Sequence, residues 1–404
     1  MPSRLIRPFE DFFRHEAAGG ILLVFFAAIA LAWANSPMAV QYEQILHYPV
    51  KVGYGELALT KSLLHWINDG LMAIFFFVVG MEIKRELAVG ELNSFKKAVL
   101  PVGAAFGGMV GPAVIYSLFN HGTANISGWG IPMATDIAFA LGALSLLGSK
   151  KAPKGLAVFL AALAIADDLG AVLVIALFYT EQISWAALLT AMGIFAALML
   201  ANRLREDSTA LFIFLGFLLW LAVQKSGVHA TIAGVLLGMA IPVRQRGDVK
   251  PMLSRLEHVL QPWVAFGILP VFALANAGVP FDVSRFGEVI TSPVGIGIIA
   301  GLFFGKQLGI FGTAYIMIRL KIASLPRNVT MKQLYGVSLL GGIGFTMSIF
   351  VTSLAFKTEE VITTAKLSII MASLLAAAAG LLVLKLQGSK NQGEGPNKSR
   401  IHSV

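Results

Sequence analysis

The stretch Leu163-Ala164-Ile165-Ala166-Asp167-Asp168-Leu169-Gly170 sets two neighbouring carboxylates near the middle of an apolar run from Leu156 to Phe178. At the centre of a membrane helix a carboxylate costs roughly 2.5–3.5 kcal/mol, so the pair costs about 5–7 kcal/mol. The Leu, Ile, Val and Phe residues of the run return roughly 0.3–0.6 kcal/mol apiece, which only about cancels that cost. A segment this balanced is not shaped for easy insertion. In a soluble protein, adjacent aspartates usually mark a solvated helix face or a loop. Here the flanks Gly155–Ala166 and Leu169–Phe178 hold no charge at all, which argues against solvation. A purely structural buried pair would need two nearby cations, and this span has none of its own. An ion or proton site facing a cavity is the better reading.

Composition supports a membrane setting. Hydrophobic residues make up 57% of the chain and charged residues 13%, against about 25% charged in ordinary soluble domains. Several apolar runs exceed the ~18 residues that mark a transmembrane helix. Without cysteine there is no disulfide framework and no thiolate metal ligand or nucleophile. The net charge of +9 suggests nucleic acid only until the charges are located. They sit in short loops between apolar runs, so no nucleic-acid partner is expected.

Apolar runs predict an all-α polytopic membrane protein with twelve transmembrane helices, in one domain over residues 1–386. The spans fall near 17–35, 63–83, 98–119, 131–147, 156–178, 185–201, 209–224, 228–242, 259–277, 293–318, 335–356 and 361–385. An even number puts both termini on one side. Of the 31 Lys and Arg, 24 fall on that side, among them Lys84, Arg85, Lys96, Lys97, Lys150, Lys151, Lys154, Arg244, Arg246, Arg319 and Lys321. Six fall opposite (Lys51, Lys61, Lys225, Arg285, Lys357, Lys366), and Lys306 lies inside a span. By the positive-inside rule the termini are cytoplasmic. Arg4, Arg7 and Arg14 precede the first run and Ala32-Trp33-Ala34 resembles a cleavage site. The run exceeds the 7–15 residues of a signal-peptide core, so an uncleaved first span is expected. Residues 49–62 alternate in the manner of strands around Gly53-Tyr54-Gly55, predicting an external hairpin whose edges can pair with a second copy. The polar 387–404 tail is expected to be disordered.

Three spans break helix rules. Span four holds Pro132, Thr135 and Asp136; span eleven holds Gly341, Gly342 and Gly344, then Thr346. Broken helices at matching positions point to a transporter site, since unwound backbone at membrane depth survives only where protein or a cavity covers it. Exposed helix ends leave partial charges there, and Asp136 can offset the positive ones. Close helix packing is the simpler use of such glycines, and for span eleven alone it would be preferred. Span ten carries Gly305-Lys306-Gln307, which lacks the spacing of a phosphate-binding loop. A lysine at that depth needs an anionic partner, and Asp136, Asp167 and Asp168 are available. Adjacent helix positions point about 100° apart, so the doublet can give one carboxylate to the lysine and keep one for a cation. Near the membrane edges lie Asp69, the set Glu82, Lys84, Arg85 and Glu86, and the set Arg255, Glu257 and His258; His229 opens span eight. Histidine titrates nearest physiological pH, although a lone one is more often simply satisfied.

At these residues the chain resembles the NhaA-type sodium/proton antiporter family of bacterial inner membranes. The resemblance runs from His15-Glu16-Ala17-Ala18-Gly19-Gly20 to span twelve. It rests on Ala134-Thr135-Asp136-Ile137-Ala138-Phe139-Ala140-Leu141-Gly142, Ile165-Ala166-Asp167-Asp168-Leu169-Gly170, Val228-His229-Ala230-Thr231 and Gly342-Ile343-Gly344-Phe345-Thr346-Met347-Ser348. The family is itself a type example of inverted repeats with discontinuous helices. The resemblance implies repeats formed by spans three to five and ten to twelve, with spans four and eleven unwound and crossing. It implies an ion site of Asp167 and Asp168 with Thr135 and Asp136 nearby, and Lys306 paired to Asp167. Glu82, Arg85, Glu86, Glu257 and His258 match a cytoplasmic cluster linked to pH activation, and the 49–62 hairpin matches a homodimer contact. Two departures concern that cluster: Ser254 stands where the best-known member carries a lysine, and Gln261 where a second histidine is expected.

The expected activity is exchange of cytoplasmic Na+ or Li+ for external H+, electrogenic and pH-regulated, serving pH homeostasis and salt tolerance. No cofactor is expected, the ions being cargo. A proton-coupled carrier of organic solutes would bring more polar or aromatic side chains to the broken spans. An intramembrane aspartyl protease needs a G-x-G-D motif that the sequence lacks.

Overall fold

The computed structural model describes residues 7–52, 59–148, 151–180, 183–244, 250–281 and 283–390. Backbone polar groups in hydrocarbon must be satisfied within their own segment, and helices do this almost throughout. In chain order these are α1 (Arg7–Ala34) and α2 (Ala39–Leu46), then α3 (Leu63–Ala88) and α4 (Phe95–Asn120). A 3₁₀ stretch, Ala124–Met133, leads to α5 (Ile137–Ser145), followed by α6 (Lys154–Phe178), α7 (Trp185–Arg203), α8 (Thr209–Ser226) and α9 (Thr231–Ala240). The remainder comprises α10 (Met252–Asn276), α11 (Val283–Thr291), α12 (Pro293–Arg319), α13 (Met331–Leu340), α14 (Phe345–Ala355) and α15 (Glu359–Lys390).

Among the described residues, eight helices are long and apolar enough to cross a membrane: α3, α4, α6, α7, α8, α10, α12 and α15. Two bent pairs raise the number to as many as ten if each pair is one span. Ala18–Ala34 meets α2 at 116°, and α13 meets α14 at 45°. The chain is thus an all-α, multi-pass membrane protein. Spans four and eight of the sequence reading are not single long helices. The first divides into the 3₁₀ stretch and α5 around an extended Ala134. The second shrinks to the ten residues of α9, because Gly227 ends α8 with a left-handed φ of 84° and the helix resumes only at Thr231. The tail boundary at 387 also moves, since α15 continues to Lys390; 391–404 lie outside the described residues.

The hairpin is present. β1 (Pro49–Val52) pairs antiparallel with β2 (Leu59–Ser62), Pro49 opposite Ser62 and Val52 opposite Leu59; its 53–58 turn lies outside the described residues. Trp66 at the start of α3 donates its indole N–H to Val50 O at 3.1 Å, anchoring the hairpin to the bundle.

Two glycine seams set the packing. Gly107 and Gly111 of α4 face Gly305, Gly309 and Thr313 of α12, and Gly103 faces Met317. A Cβ on Gly111 would lie 2.8 Å from Gly305 O, and one on Gly305 2.7 Å from Pro112 Cα. In the same way a Cβ on Gly80 of α3 would lie 2.6 Å from Val235 O, and one on Gly238 of α9 2.6 Å from Phe77 O. Only bare backbones approach this closely, the usual use of small residues between membrane helices. Around these seams α6 sits centrally, with 61% of its most apolar window buried, whereas α7 buries 11%.

Candidate ion-binding site

Asp167 and Asp168 lie midway along the unbroken α6, 1% and 2% exposed. Lys306, fully buried, is the first residue after a π-helical turn of α12, Gly301–Gly305. Its Nζ meets Asp167 Oδ2 at 2.6 Å and donates to Thr135 Oγ1 at 2.9 Å. The Thr135 hydroxyl in turn donates to Gly341 O at 2.9 Å. Extended backbone at Ala134 and the turn at Gly341 and Gly342 free the groups that this chain joins.

Asp136 ties the two breaks together. Its Oδ1 accepts the Phe139 N–H at 3.0 Å as the N-cap of α5. Its Oδ2 accepts the Thr346 N–H at 3.1 Å and the Thr346 hydroxyl, and its own N–H donates to Ile343 O at 2.7 Å. One carboxylate therefore meets the first turns of both α5 and α14, where the helix dipole is positive. The Ser348 hydroxyl adds a bond to Ile131 O at 2.8 Å, beside the buried Pro132.

Gly341, Gly342 and Gly344 have ordinary right-handed or turn conformations: φ is −60° at Gly341 and −92° at Gly344, and no left-handed φ occurs at any of the three. Space dictates glycine here. A Cβ on Gly341 would sit 2.6 Å from Ile310 Cδ1, one on Gly342 2.5 Å from Leu302 O, and one on Gly344 2.8 Å from Leu302 Cδ2. The break and the close packing are one feature.

Two oxygens remain unmatched. Asp167 Oδ1 and Asp168 Oδ1 are buried with no hydrogen-bond partner. A buried carboxylate oxygen without a donor is costly, and it is relieved by a proton or a small cation. No three His, Asp or Glu converge as a metal-holding cluster among the described residues, so a cation here would rely on the doublet together with water or backbone oxygens.

The other sequence-predicted residues fall into two groups. On α3 and α10, Arg85 Nη1 meets Glu257 Oε2 at 3.1 Å and Arg85 Nη2 meets Glu86 Oε1 at 3.4 Å; Glu86 Oε2 also accepts the Glu91 N–H. Glu82 lies within electrostatic reach of both Arg85 and Asp168. Glu257 is buried with Oε1 unpartnered, while His258 is exposed and joins none of these ion pairs. His229 belongs elsewhere. Its Nε2 is 3.7 Å from Asp69 Oδ1, its Nδ1 2.8 Å from Thr231 Oγ1, and His65 Nε2 approaches Asp69 Oδ2 at 3.2 Å. His229, Asp69 and His65 line a cavity of about 330 Å³ with Lys61, Tyr179 and Lys357.

Several polar contacts have no counterpart in the sequence reading. Asn68 and Asn276 exchange amide bonds at 2.7 and 3.3 Å across α3 and α10. Lys84 donates to Met239 O at 2.8 Å and Ile241 O at 2.5 Å, satisfying the end of α9. Gln307 and Tyr335 bond at 2.7 Å. An asparagine inside span nine was a visible signal; the partners of Lys84 and Gln307 were not.

Apolar helices crossing a bilayer, with helix breaks meeting around buried ionisable groups, define a multi-pass membrane protein of the secondary-transporter kind. The family model described as Na+/H+ antiporter 1 matches residues 10–384, and the chain belongs to that family. The protein named Na(+)/H(+) antiporter NhaA 1 of Clostridium beijerinckii is 56% identical over 392 residues, spanning 96% of this chain and 98% of the relative. NhaA of Bordetella parapertussis is 50% identical over 393 residues (95% and 98%). NhaA of Proteus mirabilis is 50% identical over 379 residues (93% and 96%).

Proposed function

We propose that this chain is a secondary transporter, not an enzyme, that exchanges cytoplasmic Na+ or Li+ for external H+ by alternating access. The observation that carries the reading is the buried doublet, with Asp167 held by Lys306 while Asp168 keeps a buried oxygen unpartnered. Sodium and protons compete for these carboxylates, which titrate as a coupled unit. Each occupant in turn neutralises charge that the low-dielectric interior penalises. Thr135, Asp136 and Thr346 hold the two helix breaks beside the doublet, and Pro132, Gly341, Gly342 and Gly344 make the breaks possible. Movement of more protons than sodium ions per cycle lets the membrane potential drive exchange, at roughly 2.3 kcal/mol per charge per 100 mV.

The same reading counts twelve spans. The ten recognised by length and bending gain the short α9 and the broken segment of residues 124–145. Spans three to five and ten to twelve are inverted repeats whose broken members cross. Both termini lie in the cytoplasm, the protein sits in the bacterial inner membrane, and residues 49–62 join two copies as a homodimer. Glu82, Arg85, Glu86, Glu257 and His258 adjust activity to cytoplasmic pH, with His229 answering from the other face.

Reconstitution into proteoliposomes tests the site. Asp168→Asn is expected to abolish sodium-dependent proton movement while leaving insertion and folding intact. Normal exchange by that variant would refute the assignment.

A further inference from the structure

Gln307 follows the site lysine directly and lies 6% exposed in the bundle core. A buried amide at that depth would be a natural ligand for a transported ion, yet both ends are already engaged. Its Nε2 donates to Phe303 O at 2.7 Å, inside the π-helical turn Gly301–Gly305. Its Oε1 accepts the Tyr335 hydroxyl from α13 at 2.7 Å. The Tyr335 ring packs edge-to-face on Phe311, centroids 5.3 Å apart, one helical turn beyond Gln307.

The π turn gives this amide its importance. A π turn contains one residue more than the α-helical path, and such bulges concentrate at functional sites. If the extra residue were absorbed, one side of α12 would rotate by about 100° relative to the other, the angle between successive residues at 3.6 per turn. Lys306 sits at the edge of that turn. Such a rotation would carry its Nζ off Asp167 Oδ2 and Thr135 Oγ1. Gln307 opposes it from both sides, by filling a carbonyl within the wide turn and by fastening the next residue to α13. The same α13 ends at Gly341, whose carbonyl accepts from Thr135.

The geometry points to Gln307, with Tyr335 as its anchor, as a positioning residue that sets the register of Lys306 against Asp167 and thereby tunes cation affinity. This inference rests on the exchange reading above. Lys306 opposes cation binding by supplying positive charge to the doublet. A lysine released from its register leaves the carboxylates more negative toward Na+.

Na+ binding to the purified full-length protein in detergent, by isothermal titration calorimetry at pH 8.5, tests the inference. Gln307→Met keeps the side-chain length without its bonds, and Tyr335→Phe removes a single hydroxyl with little risk to folding. Each is expected to bind Na+ at least threefold more tightly than the unaltered protein. The double variant should match the tighter single one, since both remove one tie and coupled residues are not additive. Gln307→Met added to Lys306→Gln should change nothing further. Unaltered affinity in Tyr335→Phe, a multiplied effect in the double variant, or a Gln307→Met effect that persists without Lys306 would each overturn it. Asp168→Asn in the same series separates the two readings. Loss of Na+ binding there upholds the ion site whatever Gln307 does, and retained binding refutes the site itself.

Discussion

Lys306–Asp167 and Arg85–Glu257 are both lysine- or arginine-to-carboxylate pairs, but their surroundings differ. The first is 0% and 1% exposed and joined at 2.6 Å; the second is 36% and 8% exposed and joined at 3.1 Å. A fully buried pair depends on each member to cancel the other, so losing one leaves an uncompensated charge in a medium that punishes it. In the outer pair water reaches Arg85 but not the buried Glu257, so only one member has solvent as a substitute. The inner pair is therefore closed off from solvent on both sides, whereas the outer pair borders the solution through Arg85.

The largest effect separating the two should come from Lys306→Ala. Stranding Asp167 beside Asp168 is expected to destabilise the protein by about 3–5 kcal/mol, visible as a large drop in thermal unfolding temperature in detergent. A small drop would erase the contrast with the outer pair. Next, Asp136→Ala removes acceptors from the first turns of α5 and α14 together. At about 1 kcal/mol for each cap, a loss of about 2 kcal/mol is expected in the same assay, against a smaller loss for Asp136→Asn. Arg85→Ala should cost about 1–2 kcal/mol, because the buried Glu257 loses its charged partner, and shift the pH profile of exchange more than its maximal rate. Smallest of all, Arg255→Ala breaks a pair to Asp207 that is 42% and 40% exposed. Stability should change by less than about 0.5 kcal/mol, and the small difference should vanish at high salt, as unfolding curves with and without added NaCl will show.

Much of the candidate site is legible in residue types because depth in a membrane makes polar atoms conspicuous. Asp167, Asp168, Lys306, Thr135 and Asp136 stood out as costs that something must offset, and the glycine and proline interruptions marked where helices would part. Direction and partnership were harder. Nothing local to Lys306 announces the π turn before it, because α and π turns accept the same apolar side chains. Gln307 finds Tyr335 only once α12 and α13 are packed. His229 and His258 looked alike in sequence, but the first is held near Asp69 and the second stands exposed. The small helix α2, turned 116° from the end of α1, carries no clear sequence signal, because its eight residues are too few for a span. Its Tyr42 hydroxyl reaches Leu274 O at 2.7 Å, a contact set by tertiary structure alone.

The seam of α4 with α12 constrains any movement that opens the doublet. Gly107 and Gly111 are pressed on Gly305 and Gly309, with Thr313 closing over Gly107, so these two helices meet almost backbone to backbone. They cannot be drawn apart without opening a void. On the exchange reading proposed above, the lysine-bearing helix would keep its contact with α4, and α6 and the broken segments would be the parts displaced against that pair.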